Sequence, residues 1–324
     1  MATLDRSRPL RRALVILSAL GLLAVVAGCA PGRAAASQPR SAAASTSTLP
    51  VGRSTQPIRV GGQVRTLHTY RPAGLSGAVP LVVMLHGGYG SGVQAETSDH
   101  WDQQADKGHF IGAFPDGSTR SWNAGGGCCG QAGADHVDDV AFIRAVVKTL
   151  RREASIDPTR IYVAGMSNGA IMAYRLACQT HLFAAVASVA GTILADCGHA
   201  KRASLIQIHG TADHTVPYHG GPGQVYGRTG ARIDGPSVPA DNHTWRKIDG
   251  CRSPHKTRAG VVKTSVAHCP GHRAVKLISI VGAGHQWPGS AARPALKRRL
   301  HADPPSTAID ATSTIWRFFA AHPG

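Results

Sequence analysis

The sequence predicts an α/β fold, with a mostly parallel central sheet and helices on both faces. Three observations predict it. Short apolar runs read as strands, and the unbroken one at residues 79–85 as a strand buried on both sides. Stretches with helical periodicity stand between them, so strand and helix alternate along the chain. At one junction the run Arg160–Met166 passes through Gly165-Met166-Ser167-Asn168-Gly169 straight into a helix-forming run. That is the pattern of strand, sharp turn with serine at the apex, then helix. Gly165 and Gly169 fit because a Cβ at either place would crowd the strand end against the first helical turn. Ser167 then projects from the carboxyl end of a strand, beside the positive end of the next helix.

The length of 324 residues allows one large α/β domain or two small ones. There are 35 Lys and Arg against 18 Asp and Glu, a formal charge of +17. The charges are scattered, and no compact basic block carries interleaved aromatics, so nucleic-acid binding is excluded in favour of a solvated basic surface suited to an anionic envelope. Seventeen histidines raise the question of a metal, but neither His-Glu-x-x-His nor a Cys/His spacing suited to zinc occurs. No metal and no cofactor are expected.

The N-terminus reads as an address. Arg6, Arg8, Arg11 and Arg12 precede the apolar run Ala13–Ala27, which is shorter than the roughly 20 residues of a bilayer span. This is a secretory signal pattern. It ends Val26-Ala27-Gly28-Cys29, which resembles a bacterial lipobox and implies cleavage before Cys29 with lipid on its sulfur. The expected organisation is therefore a lipoprotein signal peptide (1–28), an Ala/Ser/Thr/Pro-rich disordered tether (29–56) that anchors the protein to a membrane, and a catalytic domain (57–324).

Within that domain, Ile58–Pro72 reads as a hairpin turning at Gly61-Gly62, and Val79–Leu85 as a buried strand running into His86-Gly87-Gly88-Tyr89. A helix is expected near Gln94–Lys107 and a strand over Phe110–Pro115. A long glycine-rich loop follows from Asp116 to Asp135, carrying Trp122, Cys128 and Cys129; long loops are usually functional. Trp122 either lines a substrate cleft or packs the loop. The acids Asp138 and Asp139 open the next helix, where they complement its dipole. After the serine turn come a helix to about Cys178, strands over Phe183–Gly191 and Ser204–His209, a helix from Ser237 to Ile248, a strand over Val275–Val281 and a closing helix from Thr307 to Ala321.

Three side chains that follow strands occur in the order Ser167, Asp213, His285. A serine hydroxyl is a weak nucleophile until a base takes its proton. His285 is the candidate base, and Asp213 the group that fixes its tautomer. Asp241 is the rival acid, but it lies in a helix. His86, His209, His214 and His219 are rival bases, but none follows a late strand. Backbone N–H groups of Asn168 and of Gly88 or Tyr89 are the candidate oxyanion donors. Six cysteines follow Cys29. Chain order favours Cys178 with Cys197 and Cys251 with Cys269, and leaves Cys128 and Cys129 either bonded to each other or paired elsewhere.

Six motifs in fixed order, His86-Gly87-Gly88, Trp122-Asn123-Ala124-Gly125, Val137–Val140, Gly165–Gly169, His209–Asp213 and Gly284–Gly289, make residues 58–320 similar to the poly(3-hydroxybutyrate) depolymerase/feruloyl esterase family. The N-terminus is similar to its lipoprotein members. The resemblance implies an α/β-hydrolase fold and an exported serine esterase that needs no cofactor and acts on carboxylic esters, hydroxyalkanoate, feruloyl or acetyl in type, polymeric or borne by the envelope. It assigns the triad to Ser167, Asp213 and His285, and suggests that Trp287 lines the substrate cleft, the alternative being that it packs beside the catalytic loop. No second substrate-binding module is seen in the sequence, which favours small or soluble esters over solid polyester. Two alternatives share the residues: an envelope acyltransferase, identical in chemistry up to deacylation, and a non-catalytic surface-binding protein on the same fold.

Overall fold

The structure is a computed structural model that describes residues 48–225, 232–291 and 303–324. The expected signal peptide, Cys29 and the tether as far as residue 47 lie outside the described residues.

The chain enters through the hairpin β1 (Gly52–Val60) and β2 (Gln63–Arg71). Its turn uses Gly61 and Gly62, both at positive φ, which glycine adopts without a Cβ penalty. Gly52–Gln56 had been expected as tether but forms strand. The reason is backbone: β1 pairs residue for residue with β2, from Gly52 opposite Arg71 to Val60 opposite Gln63. An edge strand with one wet face needs few apolar side chains to hold, so composition hid it. Buried Leu49 pins the chain just before it.

The wholly buried strand β3 (Val79–Leu85) follows. The helix expected over Gln94–Lys107 is two, α1 (Gly92–Ser98) and α2 (Trp101–Gly108). His100 between them is left-handed (φ 58°, ψ 33°), which ends helical propagation. Next come β4 (Ile111–Pro115), a short α3 (Gly130–Ala134) inside the loop expected to be irregular, and α4 (Asp139–Glu153). The elbow is β5 (Ile156–Met166) into α5 (Asn168–Gln179). β6 (Ala185–Val189) and β7 (Ser204–Gly210) follow, then a two-residue pairing of β8 (Gly221–Pro222) with β9 (Asp234–Gly235) and α6 (Val238–Asp249). A hairpin absent from the sequence reading, β10 (His255–Ala259) and β11 (Val262–His268), leads into β12 (Ala274–Ile280) and α7 (Ala311–Ala320). Every residue of β10 is exposed, so it carries no apolar period to betray it.

One sheet runs β1-β2-β4-β3-β5-β6-β7-β12-β11-β10. Its six central strands, β4 to β12, are parallel, and the two strands at each edge are antiparallel. The twofold period of β3 divides the core. Leu81, Val83 and Leu85 join Phe142, Val146, Ile171 and Trp245 on one face. Val82 and Met84 join Trp101, Phe110, Tyr162 and Phe319 on the other. Each such side chain contributes about 1.5–3 kcal/mol on burial. The outcome is a rigid parallel centre whose strand ends β3, β5, β7 and β12 share one edge.

Candidate active site

Ser167 sits between β5 and α5 at φ 53° and ψ −121°, a backbone a non-glycine residue adopts at a cost of order 1–3 kcal/mol. The Ser167 N–H donates to Val189 O at 2.9 Å, which ties the apex to the end of β6. A Cβ added to Gly169 would fall among the carbonyls of Leu85 and His86, so only glycine lets α5 approach β3 this closely.

The three sequence-predicted side chains converge. His285 Nε2 lies 2.8 Å from Ser167 Oγ, and His285 Nδ1 lies 2.8 Å from Asp213 Oδ2. With the Asp213 carboxylate accepting Nδ1–H, Nε2 is left to accept the serine proton. Asp213 Oδ1 accepts the N–H groups of Thr215 (2.9 Å) and Val216 (2.8 Å). Its side chain is fully buried, while 13% of the His285 side chain remains open to solvent. Burial opposes ionisation of Asp213, but His285 and the hydrogen bonds from His209 and His285 outweigh it and hold the carboxyl well below the usual carboxylate range.

The rivals separate. Asp241, at the start of α6, accepts the Ile193 N–H at 3.3 Å, and burial pushes its carboxyl up to about 7. His86 is buried structure: Nε2 accepts the Gly117 N–H at 2.9 Å, so Nδ1–H donates to Gly87 O at 2.8 Å. Desolvation lowers its pKa and favours this neutral form.

Around the elbow three expectations change. The Tyr89 N–H donates to Arg120 O at 2.8 Å, so it is committed and is not an oxyanion donor. Gly87 packs on Ser167, where an added Cβ would lie 3.5 Å from Ser167 Cβ, so this turn stays beside the site. Asn168 is the first residue of α5, where amides have no intrahelical partner. The two indoles do not line a cleft. Trp122 is fully buried, donates Nε1–H to His86 O at 2.9 Å and stacks on Phe142. Trp287 is 4% exposed, donates to Thr312 Oγ1 at 3.0 Å and packs edge-on against Trp101.

The buried loop instead buttresses the elbow. The Asn168 side-chain amide accepts from Trp122 N at 2.7 Å and donates to Trp122 O at 2.9 Å. Asp138 caps α4, accepting from Ala141 N, as expected for an acid there. Asp139 does more than complement the dipole: its fully buried carboxylate pairs with Arg65 Nη2 at 2.9 Å and accepts Asn123 N–H at 2.8 Å. Cys128 and Cys129 are bonded to each other in the same loop, and Cys178–Cys197 and Cys251–Cys269 are paired as chain order favoured. Asp249, Cys251 and Cys269 form a compact group of the metal-ligating kind among the described residues, but both sulfurs are in a disulfide and offer no thiolate.

Two contacts, to His285 and Asp213, were not visible in the sequence reading. Asp303 Oδ2 accepts the His285 N–H at 2.6 Å. His209 reaches the same Asp213 oxygen that His285 uses. The His209–Asp213 spacing of four residues was visible in the sequence, but only the turn at Gly210 brings the two side chains together.

A parallel sheet carrying a serine elbow, an acid after β7 and a histidine after β12 defines an α/β-hydrolase. Residues 66–218 match the family model for esterase PHB depolymerase. The chain is 32% identical to feruloyl esterase B of Piromyces equi over 228 residues, 66% of this chain and 41% of that protein. It is 28% identical to the putative esterase NocK of Nocardia uniformis subsp. tsuyamanensis, over 84% of this chain and 88% of that protein. The fold is similar to that of an acetyl xylan esterase from Aspergillus awamori (TM-score 0.53, 15% identity, covering 83% of this chain and 99% of that one). It is also similar to a dienelactone hydrolase-like promiscuous phosphotriesterase from metagenomic libraries (TM-score 0.55, 12% identity, 84% and 100%). Over these residues the chain is similar to the poly(3-hydroxybutyrate) depolymerase/feruloyl esterase family, and it spans under half the length of feruloyl esterase B.

Proposed function

We propose that this protein is an exported serine esterase that hydrolyses carboxylic esters through an acyl-enzyme on Ser167. The observation that carries the reading is the unbroken line Asp213–His285–Ser167, with both contacts at 2.8 Å, ending on a strained elbow. His285 accepts the Ser167 proton as Oγ attacks the ester carbonyl, then delivers it to the departing alcohol. Asp213 keeps the imidazole in the required tautomer and stabilises the imidazolium. The N–H groups of Asn168 and Gly88 serve the developing oxyanion; a donor of this kind is worth on the order of a hundredfold or more in rate. Water activated by His285 then releases the acid.

The substrates are feruloyl and short acyl esters, including acetyl esters, the kinds named in the relatives and neighbours. Lipid on Cys29 and a tether hold the domain at the outer face of a membrane. Three disulfides agree with an oxidising compartment.

The test is hydrolysis of p-nitrophenyl esters from acetate to octanoate, and of methyl ferulate, by the protein and by Ser167→Ala, with a fluorophosphonate label read at Ser167. Activity and labelling that disappear together in the variant are the expected result. A folded, oxidised protein that neither labels nor turns over any ester would overturn the reading. An added alcohol that captures all the acyl group would convert it to acyl transfer.

A further inference from the structure

His209 lies at the end of β7, four residues before the triad acid, and its ring is fully buried. Its Nε2 is 2.9 Å from the carbonyl of Val216 and 3.2 Å from Asp213 Oδ2. A carbonyl oxygen only accepts, so Nε2 carries a proton, and that single N–H faces both the carbonyl and the carboxylate. Asp213 Oδ2 therefore has two imidazole nitrogens close by, His285 Nδ1 at 2.8 Å and the protonated His209 Nε2 at 3.2 Å, while backbone amides hold Oδ1. Val216 closes the same ring of contacts: its N–H donates to Asp213 Oδ1 and its C=O accepts from His209. The His209 ring is itself held in place. It meets the Tyr218 ring edge-on at 6.1 Å, and Tyr218 Oη lies 2.7 Å from Ser279 Oγ on β12, opposite His209 in the sheet register. His209 Nδ1 has no hydrogen-bond partner among the described residues. The contact to Asp213 and Val216 is thus what the imidazole offers at this site.

We infer that His209 is a positioning residue for catalysis: a second, non-reacting imidazole that fixes the Asp213 carboxylate and shares its negative charge with His285. The inference rests on the triad reading above. It has two consequences. Geometrically, His209 locks the 213–216 turn, so Asp213 Oδ2 is presented to His285 Nδ1 in one orientation. Electrostatically, the second N–H withdraws charge from Oδ2, so His285 faces a weaker base than it would otherwise. Without that N–H the carboxylate holds the His285 imidazolium more tightly. The titratable groups against His209 are Asp213, with His285 beyond it, and Tyr218. α6, which packs on the same strands, contributes Asp241, whose carboxyl is turned to the Ile193 N–H.

The experiment compares the full chain with His209→Phe, which keeps a planar ring and removes the N–H, and with His209→Gln, which restores a donor of similar reach. Hydrolysis of p-nitrophenyl acetate is followed across pH, with fluorophosphonate labelling of Ser167 as the check on the triad. His209→Phe should lower kcat by about 10- to 100-fold, as expected for a hydrogen bond to a charged group, with KM unchanged. The acidic limb of kcat/KM should move to higher pH, and the low-field proton resonance of His285 Nδ1–H should shift. His209→Gln should recover most of kcat and the limb. Unchanged kcat and an unmoved limb in a folded His209→Phe overturn the inference. So does a loss of kcat and KM together with an unmoved limb that His209→Gln does not rescue, which is the behaviour of a packing residue. If His209→Phe does not fold, the limb and resonance of His209→Gln against the unmodified chain decide. A wild-type chain that neither labels nor hydrolyses overturns the triad reading instead, and the two failures are told apart before any variant is made.

Discussion

Two networks meet at Ser167, and they are built on opposite principles. On one flank Asp213, His285 and His209 form a line of titratable side chains from three strand ends, with His285 partly open to solvent. On the other flank Asn168, Trp122, His86, Arg65 and Asp139 lock the 116–139 loop to the elbow from within the core. On the proposed mechanism the first flank changes protonation in every cycle, and its contacts join groups that can exchange or redistribute charge. The second must not change, so its polar groups are buried and paired to backbone atoms or a fixed ion pair. Burial leaves the Asp139 carboxyl above its ordinary range despite Arg65 and the Asn123 N–H, so that lock is itself under electrostatic tension. The geometry at Ser167 is thus held by a scaffold whose own polar groups are fixed.

The largest expected effect falls on the reactive flank alone. Ser167→Ala should cut kcat by roughly a millionfold, with His285→Ala similar and the double variant little worse, because such residues act as a unit. Both should leave Tm nearly unchanged. A comparable fall in Tm would merge the two flanks into one.

The mirror image is expected for the lock. Asp139→Ala leaves the buried Arg65 guanidinium unpaired and should cost about 3–5 kcal/mol of stability by denaturant unfolding. Replacing both partners together with apolar residues should recover much of that loss. If Asp139→Ala were as stable as the wild type, the lock would be ornamental.

Asn168→Ala sharpens the boundary, since Asn168 belongs to both flanks. Losing its two bonds to the Trp122 backbone should destabilise by about 1–3 kcal/mol, with a smaller loss of kcat than Ser167→Ala, because the backbone N–H remains. Activity that falls to the Ser167→Ala level would place the side chain in the chemistry.

The smallest effect concerns the rejected acid. Asp241 keeps its proton in the folded state up to about pH 7, whereas its ordinary value is 3.8. Between those values the folded state binds a proton the unfolded state has released, so its contribution to stability is present below the ordinary value and is lost as pH rises toward 7. Asp241→Asn should therefore match the wild type in acid, exceed it by a few degrees in Tm above neutrality, and leave kcat nearly unchanged. A collapse of kcat would reopen Asp241 as the triad acid.

The meeting of Ser167, Asp213 and His285 was legible because each group obeys a local rule. A serine between two glycines at a strand-to-helix junction, an acid after a buried strand and a histidine after a later one are patterns within a few residues. The lock was not, because its partners are far apart: Arg65 and Asp139 are 74 residues apart, and Trp122 and Asn168 are 46 apart. The same limit left the tryptophans undecided, since a large ring near such a loop looks the same in sequence whether it faces a cleft or the core. The β10–β11 hairpin and the start of β1 escaped because exposed edge strands are held by backbone pairing, which leaves little mark on composition.

The parallel α/β centre, the elbow at Ser167 and the chain order of Ser167, Asp213 and His285 could be read from residues alone, because apolar period, glycine placement and strand ends are short-range properties. It took the packed fold to select which carboxylate meets His285, to bring a second imidazole to the same oxygen, to engage the Tyr89 N–H and to bury both indoles. Those are choices among groups of like chemistry. Distance and burial make such choices, and both are set by how the strands are ordered in the sheet.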